Sequence, residues 1–330
     1  MTCTGPPVRI EPVGSNEVLR EVLHARGLCL TTKDSFGLLW LSGEAPWREP
    51  LYSTQAVNRL DGMQLITSKS QLADTALQAQ WPFVPFSART PDAAAKFPGA
   101  KQPFSWVHKS RAHRAVRVLP TLPTDPNDVA HLISSGILQR RLSEPMRFGG
   151  RVFDLGVYVL VAERDGRLVY WTFDDDVLIR FCSSPFVEAE AASLSSAPHL
   201  QHSWVVDDNY TSVWDLPHLE TVTNATAARS LDCLRYMLST KAVPLRSPAA
   251  TPPSFSRLQR EIGSAIGAVL GGVQEVLVEV LARRRAVHAP RTFELVRFDF
   301  MLHADGSPML TEVLRCPAYG GARPHAGRAR

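Results

Sequence analysis

Cysteine is scarce in this chain and poorly placed for a framework. Five occur in 330 residues, Cys3, Cys29, Cys182, Cys233 and Cys316, with no C-x-x-C pair. An odd, scattered set argues against a disulfide scaffold and offers no zinc-ligand spacing, so the expectation is reduced thiols in a cytoplasmic setting. A surplus of one charge is also lacking, because 36 Lys and Arg against 32 Asp and Glu leave a net charge of +4. Phosphate-backbone binding needs a clustered basic face, so no nucleic-acid partner is expected. Residues 1–20 lack the apolar core of a signal peptide, and the most apolar stretch, residues 262–281, is interrupted by Gln274, Glu275 and Glu279. That stretch reads as a core helix, and no membrane partner is expected. Neither G-x-G-x-x-G, nor the P-loop pattern, nor H-R-D occurs, which leaves a kinase or P-loop enzyme poorly supported.

What is present is globular composition, with 45% hydrophobic residues, in a chain long enough for two or three domains. Short apolar runs at 28–31 and 37–41 precede a helical pattern at 69–79, and the Pro- and Ala-rich stretch 82–103 reads as a linker or loop before a strand at 104–109. Residues 151–162 alternate apolar and polar, a turn follows at 163–166, and 168–173 returns, which predicts a hairpin. A strand is expected at 177–181, irregular chain from 188 to 226, and a break at 244–253. Ile262, Ile266, Val269, Val273, Leu277 and Val280 recur at helical spacing, predicting one long amphipathic helix over 256–285.

The last hairpin carries the chemistry. Residues 293–302 and 309–314 read as strands around an Asp305-Gly306 turn, and centring the turn there places Asp299 opposite Glu312. Two carboxylates facing each other on a sheet repel unless a cation neutralises them, and magnesium favours one or two carboxylates together with substrate phosphates. Two alternatives stand beside this: a one-residue slip that turns one carboxylate to the other face, or an ion pair between one of them and Arg297.

The ordered set Val57-Asn58-Arg59-Leu60-Asp61-Gly62-Met63, Trp106-Val107-His108-Lys109, Leu138 to Leu142, Gly150 to Asp154, Tyr158 to Val161, Leu178 to Phe181, and Phe298 to Leu302 followed by Glu312-Val313 resembles the tubulin tyrosine ligase-like family. The resemblance runs over about residues 35–318. It implies a mixed α/β (α+β) ATP-grasp fold with the nucleotide between central and C-terminal domains. The corresponding boundaries are an N-terminal domain at 1–85, a central domain at 86–138, a C-terminal domain at 139–318 and a disordered basic tail at 319–330. It implies ATP and Mg²⁺ as cofactors and an acylphosphate route by which an amino acid, glutamate foremost, joins a carboxylate of tubulin or another acidic-tailed protein. It places the protein in the cytoplasm, at microtubules or cilia. Carried over position by position, Lys109 contacts phosphate, Gln139, Arg140, Arg141 and Leu142 form the hinge beside adenine, and Asp154 lies near the nucleotide. Arg180 contacts phosphate or acceptor, and Asp299 and Glu312 bind metal.

Several positions depart from that pattern. Leu314 stands where the resemblance implies a third metal ligand, an asparagine, and Val152 and Gly156 stand where it implies basic residues. His113-Arg114-Ala115-Val116-Arg117 replaces a glycine-rich loop, and Trp204 to Tyr210 replace the tubulin-facing segment. Two functions follow as expectations: an active ligase of this family, and a catalytically impaired relative acting as a nucleotide- or tubulin-binding scaffold.

Overall fold

The computed structural model of the chain describes residues 7–11, 17–33, 35–41, 54–110, 116–165, 167–187, 202–206, 209–223, 228–240, 253–285 and 291–316. The expected break at 244–253 lies almost wholly outside them, as does the expected tail at 319–330.

In chain order, β1 (Val8–Glu11), α1 (Glu17–Ala25), β2 (Leu38–Leu41) and β3 (Ala56–Val57) lead to α2 (Gln64–Thr67) and α3 (Lys69–Gln78). Next come β4 (Ser87–Ala88), α4 (Pro91–Lys96), β5 (Trp106–Ser110), β6 (Val116–Leu119), α5 (Pro126–Ser135) and β7 (Gly136–Arg140). The remainder is β8 (Arg147–Phe148), β9 (Arg151–Arg164), β10 (Arg167–Thr172), β11 (Leu178–Phe181), β12 (Thr211–Ser212), α6 (Glu220–Thr223), α7 (Ser230–Ser239), α8 (Phe255–Arg285), β13 (Arg291–Leu302) and β14 (Pro308–Arg315).

These strands form two sheets. A 4-stranded sheet has the order β4-β7-β5-β6, and a 10-stranded sheet has β1-β2-β3-β13-β9-β11-β12 as its spine, with β10 and β8 on β9 and β14 on β13. The stretch 82–103, expected as linker, holds β4 and α4. Its composition misleads because Pro91 opens the helix and the Thr90 hydroxyl caps it by accepting from the Ala93 N–H, so a helix start resembles a loop. Helices α4 and α5 cover one face of the small sheet, closing a core of Trp106, Leu119, Val129, Leu132 and Leu138.

The large sheet is antiparallel at its centre, and period-2 alternation assigns its faces. Phe153, Leu155, Val159, Ile179, Phe181, Phe298, Phe300 and Val313 point to one face and pack on α8 through Ile262, Ile266, Val269, Val273 and Leu277. α8 is long and apolar enough to cross a membrane by length and composition. Its apolar stripe belongs to this core. The other face carries the polar members of the same strands.

Sequence-distant pairing joins the N-terminal strands to this sheet, with Arg291 and Thr292 of β13 parallel to Ala56 and Val57 of β3. Glu294, with no exposed surface, secures that junction by accepting from the Leu60 N–H at 3.1 Å. Arg59 lies 3.7 Å from this carboxylate and Arg315 3.8 Å. Burial raises the Glu294 pKa, while Arg315, the Leu60 amide and Arg59 pull the other way. One expectation on cysteine is corrected: Cys182, Cys233 and Cys316 are buried and reduced, but Cys29 is disulfide-bonded.

Candidate functional site

The site grows from register. Across the large sheet one row reads Glu312, Asp299, Gly156, Leu178, from β14 through β13 and β9 to β11. One row lies on either side of it: Met301, Asp154, Arg180, and Leu314, Arg297, Tyr158. Residues directly opposite in adjacent strands share a face, so these side chains stand together away from the core.

The expected Asp299–Glu312 pairing is present, though the turn does not produce it alone. Next to the turn, Phe300, Met301 and Leu302 pair with Leu310, Met309 and Pro308, one residue out of step with the centring expected. A β-bulge then leaves Thr311 unpaired and brings Glu312 opposite Asp299. The Thr311 hydroxyl fixes the bulge by donating to the Asp299 carbonyl at 3.0 Å.

The small sheet contributes Lys109. Val107 and Lys109 share a face with Gln139 and Ile137, opposite the face that α4 and α5 cover. From there Lys109 Nζ crosses to the large sheet and donates to the Thr311 carbonyl at 2.9 Å. Only 8% of Lys109 is exposed. Burial pushes its ammonium down to about 8, Glu312 pulls it back up, and Lys69 adds to the fall. Lys69, at the start of α3, lies 3.4 Å from Glu312 and donates to the Ser110 carbonyl at 3.5 Å.

The other charged groups form one buried chain. Arg180 donates to Asp154 through Nε at 3.0 Å and Nη2 at 2.6 Å, and Nη2 also reaches Asp299 Oδ2 at 2.8 Å. Arg297 donates to both oxygens of Asp299, Nε at 2.6 Å and Nη2 at 2.9 Å. Burial lifts the Asp154 carboxyl to about 6 against the pull of Arg180, with Asp299 adding to the rise. Burial alone would lower both guanidinium pKa values. Asp154 and Asp299 reverse this for Arg180, and Asp299 does so for Arg297, so both rise. Lys69, Lys109, Arg180 and Arg297 thus face Asp154, Asp299 and Glu312, an excess of one positive charge in a largely buried place that reaches solvent at Glu312 and Arg180.

The family resemblance implies magnesium, an ion that needs oxygen ligands free to bind it. Both oxygens of Asp299 are engaged by guanidinium groups, and the side chain of Leu314 has no oxygen to offer. Glu312 retains a buried Oε1 with no hydrogen-bond partner, facing Lys69. Among the described residues no three His, Cys, Asp or Glu side chains converge to hold a metal ion. This arrangement does not fit a resident magnesium ion, which requires oxygen ligands in near-octahedral order.

The hinge residues divide. Gln139 is buried on the Lys109 side and donates from Nε2 to Ser87 Oγ at 3.2 Å. Arg140 turns to the helix-covered side, its guanidinium 4.9 Å from the Phe97 ring centre and 5.2 Å from that of Trp106. Its side chain is thereby directed away from the face carrying Lys109. Arg141 donates to the Phe104 carbonyl at 2.6 Å and to the Leu142 carbonyl at 3.2 Å, and stacks 4.3 Å from Trp204. The segment unlike the family therefore packs on the site's border. Trp204 is buried against Phe104, and Tyr210 lies beneath the Arg180 guanidinium at 5.8 Å. Arg114 lies outside the described residues, and Arg117 is exposed.

Sequence reasoning missed Lys69 and Thr311, and took Arg297 only as the partner in a surface ion pair. Lys69 had no signal beyond its place at a helix start. Arg297 did have one, since i and i+2 on a strand share a face.

A small sheet presenting a buried lysine to a larger antiparallel sheet with carboxylates and an arginine is a mixed α/β fold of the ATP-grasp type. The model of the tubulin-tyrosine ligase family matches residues 49–326, and the chain belongs to that family of tubulin-modifying ligases. Among curated proteins it is similar to the probable tubulin polyglutamylase ttll-15 of Caenorhabditis elegans, 25% identical over 315 residues. That alignment covers 91% of this chain and 56% of the relative, so the chain spans little more than half the relative's length.

Proposed function

We propose that this chain is an ATP-dependent ligase that joins an amino acid, glutamate foremost, to a carboxylate of tubulin or another acidic-tailed protein. The observation that carries this reading is the convergence of Lys109 from the small sheet with Asp154, Arg180, Asp299 and Glu312 of the large one, across a span closed by the Lys109–Thr311 bond. ATP, when bound, supplies the phosphoryl group that turns a poorly electrophilic carboxylate into an acylphosphate, which an incoming amine can attack with loss of phosphate.

The chain's own residues prepare for that anion. Lys109 gives up its bond to the Thr311 carbonyl and donates to phosphate, and the approaching negative charge restores its proton affinity. Arg180 is held by Asp154 in a two-pronged pairing, which fixes its plane toward phosphate or acceptor. The hinge from Gln139 to Leu142 is the place proposed for the base, with the main chain of Gln139 itself paired inside the small sheet. The family name and the relative's description, tubulin polyglutamylase, support tubulin and glutamate. The cytoplasmic setting belongs to the same proposal; three buried reduced cysteines support it, and the Cys29 disulfide weighs against it.

A second reading, an impaired relative that serves as a nucleotide- or tubulin-binding scaffold, is favoured by Leu314 and by the closure of Asp299 with two arginines. Incubation with radiolabelled glutamate, ATP and microtubules separates the two. Label transfer that is lost in Lys109→Ala and Glu312→Ala establishes the ligase, and no transfer in any condition leaves the scaffold.

A further inference from the structure

We propose that the guanidinium of Arg297 takes the place of a protein-bound divalent cation in this site. It neutralises Asp299 from within the sheet and presents a fixed positive charge to the entering phosphate. The proposal rests on the ligase reading only in taking a nucleotide phosphate as that anion.

Three independent features of the chain lead to it. The first is position. Arg297 precedes Asp299 by two residues on β13 and is flanked by Leu314 of β14 and Tyr158 of β9, so it adjoins both the carboxylate and the side chain that has no oxygen to give. The second is geometry. The contacts at 2.6 and 2.9 Å are a two-pronged pairing, and with Arg180 at 2.8 Å they leave Asp299, 2% exposed, little free lone-pair capacity.

The third is Gly156. A Cβ on that residue would stand 2.8 Å from Arg297 Cδ and 3.2 Å from its Nε, so the arginine lies across β9 only because residue 156 has no side chain. The glycine and the arginine therefore act as a unit, one opening the place that the other fills. A guanidinium stays charged at any working pH and is less strongly hydrated than an ammonium, which suits it to permanent burial beside a carboxylate. A magnesium ion entering here would have to displace it and shed tightly held water for at most two carboxylates. Positive charge is thus built into the strand, and nucleotide phosphate meets Arg297, Arg180 and Lys109 together.

The test is titration of the whole chain with Mn²⁺ and no nucleotide, following free Mn²⁺ by its electron paramagnetic resonance signal. Wild type is expected to show no saturable binding below about 1 mM, a range typical of weak sites. Arg297→Ala should gain a site at least tenfold tighter, and Arg297→Ala with Asp299→Asn should lose it again. Gly156→Ala, which pushes Arg297 aside without removing it, is the second route to the same gain and serves if Arg297→Ala fails to fold. Wild-type binding as tight as that of the variants, or no gain in either variant, overturns the proposal. Titration with a non-hydrolysable ATP analogue adds a separate arm. Affinity within about threefold in Mg²⁺ and in EDTA supports the arginine's role, and a loss of tenfold or more in EDTA refutes it. No analogue binding in either buffer refutes the nucleotide reading, while the Mn²⁺ arm still decides the fate of Arg297.

Discussion

Replacing Lys109 by methionine should make this protein more stable and a poorer binder at once. The ammonium of Lys109 is almost wholly enclosed, and its pKa falls from the ordinary 10.5 to about 8, chiefly through burial. That fall corresponds to a penalty of about 3 kcal/mol on the charged form. The folded pKa lies below the unfolded one, so the unfolded chain holds the extra proton between the two values. The penalty is complete below pH 8 and fades as pH rises toward 10.5. Methionine keeps the length of the side chain without the charge, and it forfeits the 2.9 Å bond to the Thr311 carbonyl, about 1 kcal/mol. At pH 7 the variant should therefore be about 2 kcal/mol more stable than wild type. Toward pH 10 the advantage should vanish and reverse. Urea unfolding of both proteins at several pH values, followed by circular dichroism, reads this directly. Nucleotide affinity should move the opposite way, falling about tenfold or more with the loss of a charge-assisted contact. A variant that is less stable at pH 7, or a difference that stays flat with pH, would refute the reasoning.

Removing the carboxylate of Glu294 should be costly. Glu294→Leu leaves Arg59 and Arg315 facing an apolar group and the Leu60 N–H unmet, so chemical denaturation should show a loss of about 3 to 5 kcal/mol. A methyl group on Gly136 would press into the Lys109 carbonyl and stand 2.8 Å from His108 Nε2, so Gly136→Ala must shift the strand that carries Lys109. Calorimetry should then show weaker nucleotide binding, with a stability loss of about 1 to 3 kcal/mol. Leu314→Asn alone should leave Mn²⁺ affinity unchanged while Arg297 stands, and should tighten it when added to Arg297→Ala. A gain from Leu314→Asn alone would mean that Asp299 exchanges its arginine for metal readily.

Much of the centre of the molecule was legible because it is local. The alternation of Phe153, Leu155, Val159 and Val161 specifies one buried face of β9, and the spacing of Ile262, Ile266, Val269 and Val273 specifies the buried stripe of α8. The Asp299–Glu312 pair was reached with a register that fails at the turn, and it is present because the bulge makes up one residue. A bulge has no periodic signature, so its position could not be read. Pairing of β3 with β13 joins residues 56 and 291, which no local pattern encodes. Arg297 was visible as a partner for a carboxylate, but its burial was not, since that depends on the missing side chain of Gly156 on another strand. Trp204 and Tyr210 were read only as standing in place of a tubulin-facing segment, and their contacts with Arg141 and Arg180 arise from folding.

Thr311 gives the two sheets a common anchor. Its carbonyl accepts from Lys109 and its hydroxyl donates to the Asp299 carbonyl, so one supernumerary residue ties both the small sheet and strand β13 to β14. Deleting it would leave Leu310 opposite Phe300 and Glu312 opposite Asp299 in a regular ladder, so the acids would keep their alignment while the bonds to Lys109 and to the Asp299 carbonyl were lost. The residue that strand pairing leaves over is thus the one that tethers the small sheet to the large one.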